Sequence, residues 1–238
     1  MNLTPDQILI PLGSITLNAT LIYTWFVMIL LTVVSWWVTR HLSDSTQISP
    51  GQNLLEVLVL GIANQIRDIS EQKPAPYLPF VGTLFIFIAT SNLLGILPIY
   101  QPPTGSLSTT TALALCVFVA VPLFGIRRQG VRSYLKQYLQ PTPIMLPFNL
   151  ISDVSRILSL AVRLFGNVMS GSMIVAILLS IAPLVFPVVM QAFGLLTGLI
   201  QAYIFAVLAM VFIAAATVEP PSTDSPDPTN HSAEISHG

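Results

Sequence analysis

The sequence contains few charged residues: only 8% of its 238 residues are Asp, Glu, Lys or Arg. A soluble domain carries about 25% charged residues. Hydrophobic residues make up 53% of the chain instead. This balance excludes an ordinary soluble domain. We therefore predict an integral membrane protein with the lipid bilayer as a partner, and no nucleic acid partner.

Motifs for catalysis and metal binding are also missing. The sequence has no zinc-ligand spacing, P-loop, GxGxxG or Ser-His-Asp arrangement. Its one cysteine, Cys116, lies in an apolar run, where a free cysteine is usually an inert packing residue. These absences argue against a self-contained enzyme, and we expect neither a cofactor nor a metal site.

Long hydrophobic runs dominate what is present. A helix needs roughly 20 apolar residues to cross a bilayer. Five runs approach or exceed this length: 17–39, 80–98, 107–125, 151–181 and 188–218. Because they are continuously apolar rather than alternating, they favour helices over a membrane barrel. The predicted fold is an all-α integral membrane protein with about five membrane helices.

Other parts of the chain have different patterns. In 53–69, apolar residues recur at helical spacing opposite polar ones, which predicts an amphipathic helix at the membrane surface or against the protein. The last two apolar runs predict helices of roughly 45 Å, longer than the hydrocarbon core. Residues 1–218 are predicted to form one membrane domain. The tail, 219–238, is rich in Pro, Ser and Asp, which is typical of disorder.

Basic residues are sorted along the chain. Seven of the nine lie in the two segments that follow the first and third spans: Arg40, Arg67, Lys73, Arg127, Arg128, Arg132 and Lys136. The second of these segments is a predicted basic loop at 127–143. Such residues stay on the cytoplasmic side of a membrane. We therefore predict an external N-terminus and, after five spans, a cytoplasmic C-terminus.

Arg163 lies in a run apolar enough to be inside the bilayer, SRILSLAVRLFGNVMSGSMIVAILL. A charge at the bilayer centre costs roughly 2.5–3.5 kcal/mol on insertion scales. Arginine cannot avoid this cost by losing its proton. A charge in this position must face a cavity or a partner, and by default it indicates an ion path.

Polar residues around Arg163 are spaced to share one helix face, with glycines beside them. Spacings of three and four residues produce this stripe: Arg156, Ser159, Arg163, Asn167 and Ser170, flanked by Gly166 and Gly171. The last apolar run carries a second stripe: Thr197, Gly198, Gln201 and Phe205. Small residues let another helix approach closely. We predict that the two stripes form one surface that touches a partner while holding a cation.

The sequence also limits where the partner of Arg163 can be. No Asp or Glu occurs between Asp153 and Glu219. A static bundle in which an internal carboxylate neutralises Arg163 is one interpretation. The lack of acidic residues between these two positions favours a carboxylate supplied by another subunit.

Several ordered motifs occur from about residue 50 onward. AVRLFGN at 161–167 contains Arg163, and Gln201 follows 38 residues later in LIQAYIFAVL. Four further segments resemble segments that occur in the same order in one protein family: NLLEVLVLGIANQIRDI (53–69), LFIFIATSNLLGILP (84–98), TGSLSTTTALAL (104–115) and PFNLISDVSRILSLAVRLFGN (147–167). The chain resembles subunit a of the membrane sector of F-type rotary ATP synthases.

This resemblance implies a non-catalytic stator that provides two ion half-channels beside a rotating ring of c subunits. Arg163 would be the essential arginine facing the c-ring carboxylates, and the last two helices would tilt steeply along the ring. Asn167 and Gln201 match polar positions beside that arginine, although helix–helix hydrogen bonding is an open alternative. Asp153 and Arg156 match acidic and basic positions on the cytoplasmic side. For Arg156, an interface role also stays open.

The resemblance also implies a location and further partners. The family functions as a multi-pass protein of the bacterial cytoplasmic (inner) membrane. Its partners include peripheral-stalk b subunits and, indirectly, the F1 sector.

The chain departs from the family pattern where titratable residues are common. Ser172 lies nine residues after the arginine, where the family often has an acid or histidine, and Ser106 replaces a common Asp. Gly194 takes a position that is often His or Glu. Proton relays use titratable side chains, whereas a sodium path needs oxygens and water. Ser106, Ser170 and Ser172 supply such oxygens, so we favour a sodium-translocating variant, with protons on water wires as the alternative.

Two other functions stay open from the sequence. A secondary transporter could bind an anionic substrate through Arg163, but it would be expected to show an inverted repeat, and we find none. A membrane assembly scaffold could use the polar stripe only to dock a partner.

Overall fold

The computed structural model describes residues 8–12, 15–40, 50–70, 73–97, 100–139, 145–181 and 186–217. Within them a short hairpin precedes seven helices: β1 (Ile8–Leu12), β2 (Ile15–Asn18), α1 (Ala19–Arg40), α2 (Pro50–Ser70), α3 (Leu78–Leu93), α4 (Leu107–Gln129), α5 (Val131–Leu139), α6 (Met145–Ile181) and α7 (Phe186–Thr217). Single 3-10 turns lie between α3 and α4, at Leu94–Ile96 and Pro103–Gly105. The predicted tail, 219–238, lies outside the described residues.

The predicted helical membrane fold is confirmed. Five of the described helices, α1, α3, α4, α6 and α7, are long and apolar enough to cross a membrane. Helix α2 is amphipathic as expected: Ile66 is buried, while Glu56, Asn64 and Arg67 are exposed. Its apolar side packs against α3 and α7. Helix α2 therefore lies against the membrane helices α3 and α7.

Two elements differ from the predicted all-α fold with a basic loop: a short β-hairpin before α1, and a helix within that loop. Strands β1 and β2 pair antiparallel, with Leu12 opposite Ile15. The second difference is α5, which occupies much of the predicted basic loop. Gly130 ends α4 with a φ of 81°, a conformation that glycine adopts easily. The chain then forms α5, and the Tyr134 ring of this helix is buried beside Gly125, where a side chain would not fit.

Helix α7 is central and α6 is peripheral. Helix α7 contacts α2, α3, α4 and α6. In their most apolar windows, 44% of α7 residues are buried but only 6% of α6 residues. Helix α6 buries Leu160, Ala161 and Leu164 and leaves most of its other residues exposed. The long outer face of α6 is thus open to lipid or to another subunit.

The core has two parts, and α7 contributes to both. In the larger part, Phe205 of α7 packs with Ile88 of α3, Val117 of α4 and Leu164 of α6. In the smaller part, α7 and α3 pack against Ile66 of α2. Fully burying one such aliphatic side chain stabilises a fold by about 1.5–3 kcal/mol in water, while in lipid close packing supplies the corresponding stability. Both parts fix the rotation of α7 about its axis.

Candidate functional site

Arg163 lies on the exposed face of α6. Its neighbours Leu158 and Val162 are exposed apolar residues, with 61% and 52% of their surface accessible. Arg163 makes no ion pair or hydrogen bond with any residue of the described ranges. The acids within those ranges are Glu56, Asp68 and Asp153 only. The structure therefore leaves an unneutralised cation on a mostly apolar outer surface.

The polar stripe of α6 is mostly exposed together with Arg163. Arg156, Ser159, Gly166 and Ser170 are all exposed. A Cβ added at Gly166 would meet no atom within 4 Å, so the space beside Arg163 is open. Ser170 Oγ donates to the carbonyl of Gly166 at 2.6 Å, which satisfies the hydroxyl within its own helix. This outer stripe can receive a close-packed partner from outside the chain.

The second predicted stripe does not share this surface. Gly198, Gln201 and Phe205 of α7 are buried inside the bundle. The prediction of one continuous surface was therefore wrong. The helical period puts these residues on one face, but packing of α7 between α3 and α6 turns that face inward. Asn167 links the two stripes, because its Nδ2 donates to the carbonyl of Thr197 at 3.3 Å.

A buried polar network lies behind the α7 stripe. Asn92 of α3 donates through Nδ2 to the carbonyl of Gly198 at 2.9 Å. Its Oδ1 accepts a 2.7 Å hydrogen bond from Thr104 Oγ1. Neither Asn92 nor Thr104 was predicted from the sequence as a site residue. The signal was present for Asn92, which is the only amide side chain in its apolar run and needs partners inside a membrane.

One polar atom beside this network, Gln201 Nε2, is buried without a hydrogen-bond partner among the described residues. Gln201 itself is only 6% exposed. Buried polar atoms in proteins are almost always hydrogen-bonded, often through ordered water. Burial also raises the pKa of Tyr100 above its ordinary value, so its hydroxyl keeps its proton. A water molecule beside Gln201 Nε2 would supply the missing partner.

The three predicted serines separate in the structure. Ser106 is buried at the start of α4, two residues after Thr104, and its Oγ lies 2.7 Å from Ser108 Oγ. Ser170 and Ser172 are exposed on α6, where Ser172 Oγ donates to the carbonyl of Met169 at 2.8 Å. Ser106 thus belongs to the buried polar region, while the other two serines belong to the outer face of α6.

The opposite end of the bundle contains the remaining candidates, Asp153 and Arg156. Arg127 and Arg128 lie there too, in the last turn of α4. A cavity of about 510 Å³ lies between α4, α5, α6 and α7 and is lined by Asp153 and Arg156, among others. We call it the Asp153 cavity. Arg156 Nη1 lies 3.9 Å from Asp153 Oδ1. Pro122, also in the lining, has no N–H, so the Phe118 carbonyl beside it loses its usual helical donor.

A second hollow surrounds Arg163. It has a volume of about 340 Å³ and runs between α6 and α7, with Ser155, Ser159 and Arg163 along one side. We call it the Arg163 groove. The structure thus places an arginine between a buried polar region toward one end of the bundle and a partly polar cavity toward the other.

Comparison with known proteins identifies the family of the chain. The family model for the ATP synthase A chain matches residues 21–214. The chain belongs to the ATP synthase A chain family. It is a non-catalytic, ion-translocating subunit of an ATP synthase and the stator component of its membrane sector, which also contains a c-ring and other subunits. The family also makes the chain a multi-pass membrane protein.

Named relatives match nearly the whole chain. ATP synthase subunit a 2 of Acaryochloris marina is 69% identical over 239 residues, with both chains fully covered. ATP synthase subunit a 1 of Crocosphaera subtropica is 58% identical over 90% of this chain and 94% of its own length. ATP synthase subunit a of Albidiferax ferrireducens is 58% identical over 91% and 94%.

Proposed function

We propose that Arg163 is the residue on which coupling of ion flow to rotation depends, and that it faces the c-ring carboxylates. The observation that carries this proposal is an exposed, unpaired arginine on a long apolar helix. An isolated charge in lipid is costly, so the assembled complex must supply a counter-charge. A carboxylate on another subunit supplies it without adding an acid to this chain.

The physical role of Arg163 follows from its permanent charge. A nearby positive charge favours the ionised, ion-free form of a carboxylate. Each ring site that reaches Arg163 therefore releases its ion before it passes. Because the guanidinium does not lose its proton, ions cannot move directly from one side of Arg163 to the other. This separation forces ion transfer to proceed through ring rotation.

The outer face of α6 supports contact with the ring. Gly166 leaves open space beside Arg163, and small residues permit close approach between membrane helices. Ser170 and Ser172 lie further along the same exposed part of α6. In this proposal their oxygens line the path of the ion near the ring. The steep tilt of α6 and α7 along the ring belongs to the same proposal.

Two routes lead to the ring in this proposal. The first crosses the buried polar region and uses Ser106, Gln201 and Asn167, together with Asn92. The second uses the Asp153 cavity, with Asp153 and Arg156 at its lining. The buried Gln201 Nε2, which has no partner among the described residues, supports the first route, and the cavity volume of about 510 Å³ supports the second. The membrane potential, worth about 2.3 kcal/mol per charge per 100 mV, drives ions through both.

We further propose Na⁺ as the transported ion, with H⁺ as the alternative. The buried polar region around Ser106 offers hydroxyl and amide groups, and burial raises the pKa of the Tyr100 hydroxyl, which therefore keeps its proton. Such a route suits a cation that needs oxygens rather than a proton relay. ATP hydrolysis by the assembled complex at high pH should then depend on Na⁺. Hydrolysis that is insensitive to Na⁺ would leave H⁺ as the ion.

The proposal extends to location and partners. Arg40, Arg127, Arg128 and Arg132 are exposed at helix ends, and Arg40 stacks 5.0 Å from the centre of the Trp36 ring, as expected at a membrane interface. We propose a bacterial cytoplasmic membrane with the N-terminus outside and a cytoplasmic, disordered tail after a single membrane domain. Peripheral-stalk b subunits bind the chain, and the F1 sector is coupled to it indirectly.

Arg163→Ala in the assembled complex tests the main proposal. We expect normal amounts of the subunit beside the c-ring, with ATP-driven ion uptake lost. Arg163→Lys should also fail, because an ammonium group lacks the planar, rigid guanidinium. Arg128→Ala removes an exposed arginine from the end of α4 and is the matched control. Coupled ion uptake that persists in Arg163→Ala would refute the proposal.

A further inference from the structure

The Arg163 groove and the Asp153 cavity meet at Arg156. Their linings have only Ser152, Arg156 and Phe212 in common. Arg163 lines the groove but not the cavity, and Asp153 lines the cavity but not the groove. A cation that moves between the two hollows therefore passes these three shared residues.

Arg156 is held at this boundary from two sides. Its guanidinium carbon lies 5.8 Å from the centre of the Phe212 ring on α7, within the range of a cation–π contact. On the cavity side, Asp153 lies three residues earlier on α6 at 3.9 Å. The Arg156 side chain is 55% exposed and that of Asp153 is 28% exposed. Such a long, exposed ion pair is weak, so much of the Arg156 charge acts on ions at the boundary.

We propose that Arg156 is a charge gate between the Arg163 groove and the Asp153 cavity. Its positive charge raises the free energy of a bare cation at the boundary. A ring carboxylate near the boundary offsets this repulsion with its negative charge, so ions cross only while a ring site is present and do not leak alone. This inference rests on the proposed function of Arg163 and assigns a distinct role to the second arginine of the same helix.

Phe212 contributes the other half of the gate. Its ring holds the guanidinium over the boundary and closes the α7 side of the passage with an apolar surface. An apolar wall opposite a fixed charge lowers the local dielectric and strengthens the repulsion. Phe212 carries no signal in the sequence, because it is one of many apolar residues in α7.

Passive ion flow through the membrane sector without F1 is the direct test. The sector is reconstituted in liposomes, a K⁺ diffusion potential is applied, and influx of Na⁺ and of H⁺ is measured separately. We expect Arg156→Gln to raise influx of the transported ion about ten-fold, since a like charge a few Å away costs a monovalent cation up to about a hundred-fold and Asp153 offsets part of this. Arg156→Lys keeps the charge and should stay within about two-fold of the unchanged protein.

Arg128→Gln is the control, because Arg128 is exposed and lines neither hollow. An Arg156→Gln sector that assembles normally but conducts at or below the level of the unchanged protein would overturn the gate. If Arg156→Gln does not assemble, Phe212→Leu decides the question. Influx raised about three-fold supports the gate, since loss of the cation–π contact frees the guanidinium. Influx equal to that of the unchanged protein rejects it.

Arg163→Ala in the same series separates failure of the gate from failure of the proposed function. Loss of ATP-driven uptake in Arg163→Ala, with unchanged passive influx in Arg156→Gln, rejects the gate alone. Persistent ATP-driven uptake in Arg163→Ala rejects the proposed function, and the gate with it.

Discussion

Replacing Gly198 by alanine tests how closely α3 and α7 are packed beside Gln201. A Cβ at position 198 would lie 3.0 Å from Asn92 Cβ and 3.3 Å from Asn92 Nδ2, compared with 3.4–4 Å for ordinary contacts. The nearest atom is attached directly to the α3 backbone and cannot rotate away. The two helices must therefore separate by several tenths of an ångström, which also stretches the 2.9 Å hydrogen bond from Asn92 to the Gly198 carbonyl.

The size of the effect follows from two opposing terms. Overpacking a tight contact costs about 1–3 kcal/mol. Replacing a helical glycine by alanine gains about 1 kcal/mol from helix propensity. Gly194→Ala, one turn earlier on α7, has the same gain, but its Cβ would meet nothing within 4 Å. The propensity terms cancel in the comparison, so Gly198→Ala should be less stable than Gly194→Ala by about 1–3 kcal/mol.

The measurement is unfolding of the full chain in detergent micelles by SDS, followed by circular dichroism. ATP-driven ion uptake by the assembled complex gives a second readout. We expect uptake to fall in Gly198→Ala, because the shift of α7 moves Gln201 relative to Asn167, and to stay normal in Gly194→Ala. Equal stability of the two variants would refute the close approach of α3 and α7 at this position.

Three further variants test other parts of the structure. Gly125→Ala should destabilise the chain in SDS unfolding by about 2 kcal/mol or more. Its Cβ would lie 2.5 Å from the Tyr134 ring and 2.9 Å from the Ala216 carbonyl. Stability equal to that of the unchanged chain would contradict this. Asn92→Ala should cost about 1–3 kcal/mol in the same assay, since it leaves the buried Gly198 carbonyl and Thr104 hydroxyl without their shared partner. Gly166→Leu should leave the stability of the isolated chain nearly unchanged, because the added atoms enter open space, yet it should slow ATP-driven ion uptake if this face meets the ring. Normal uptake in Gly166→Leu would argue against that contact.

Much of the site could be predicted from local sequence. Arg163 was identified from the cost of a charge in an apolar run, and its need for an external partner from the acids missing nearby. Both arguments use only the composition of the last two apolar runs. Asn92 could have been found in the same way. The gate residue Phe212 could not be predicted in this way, because it contacts Arg156 on another helix, 56 positions away in the sequence.

The sequence by itself determined the membrane helices, the amphipathic α2 and the polar stripe of α6, because the cost of polar and charged groups in lipid acts on each segment independently. Only the tertiary structure decided which way each stripe faces. Helical period places Gly198, Gln201 and Phe205 on one side of α7, but α7 can be rotated as a whole about its axis. Packing against α2, α3, α4 and α6 fixes that rotation, so the α7 stripe is buried while Arg163 stays exposed.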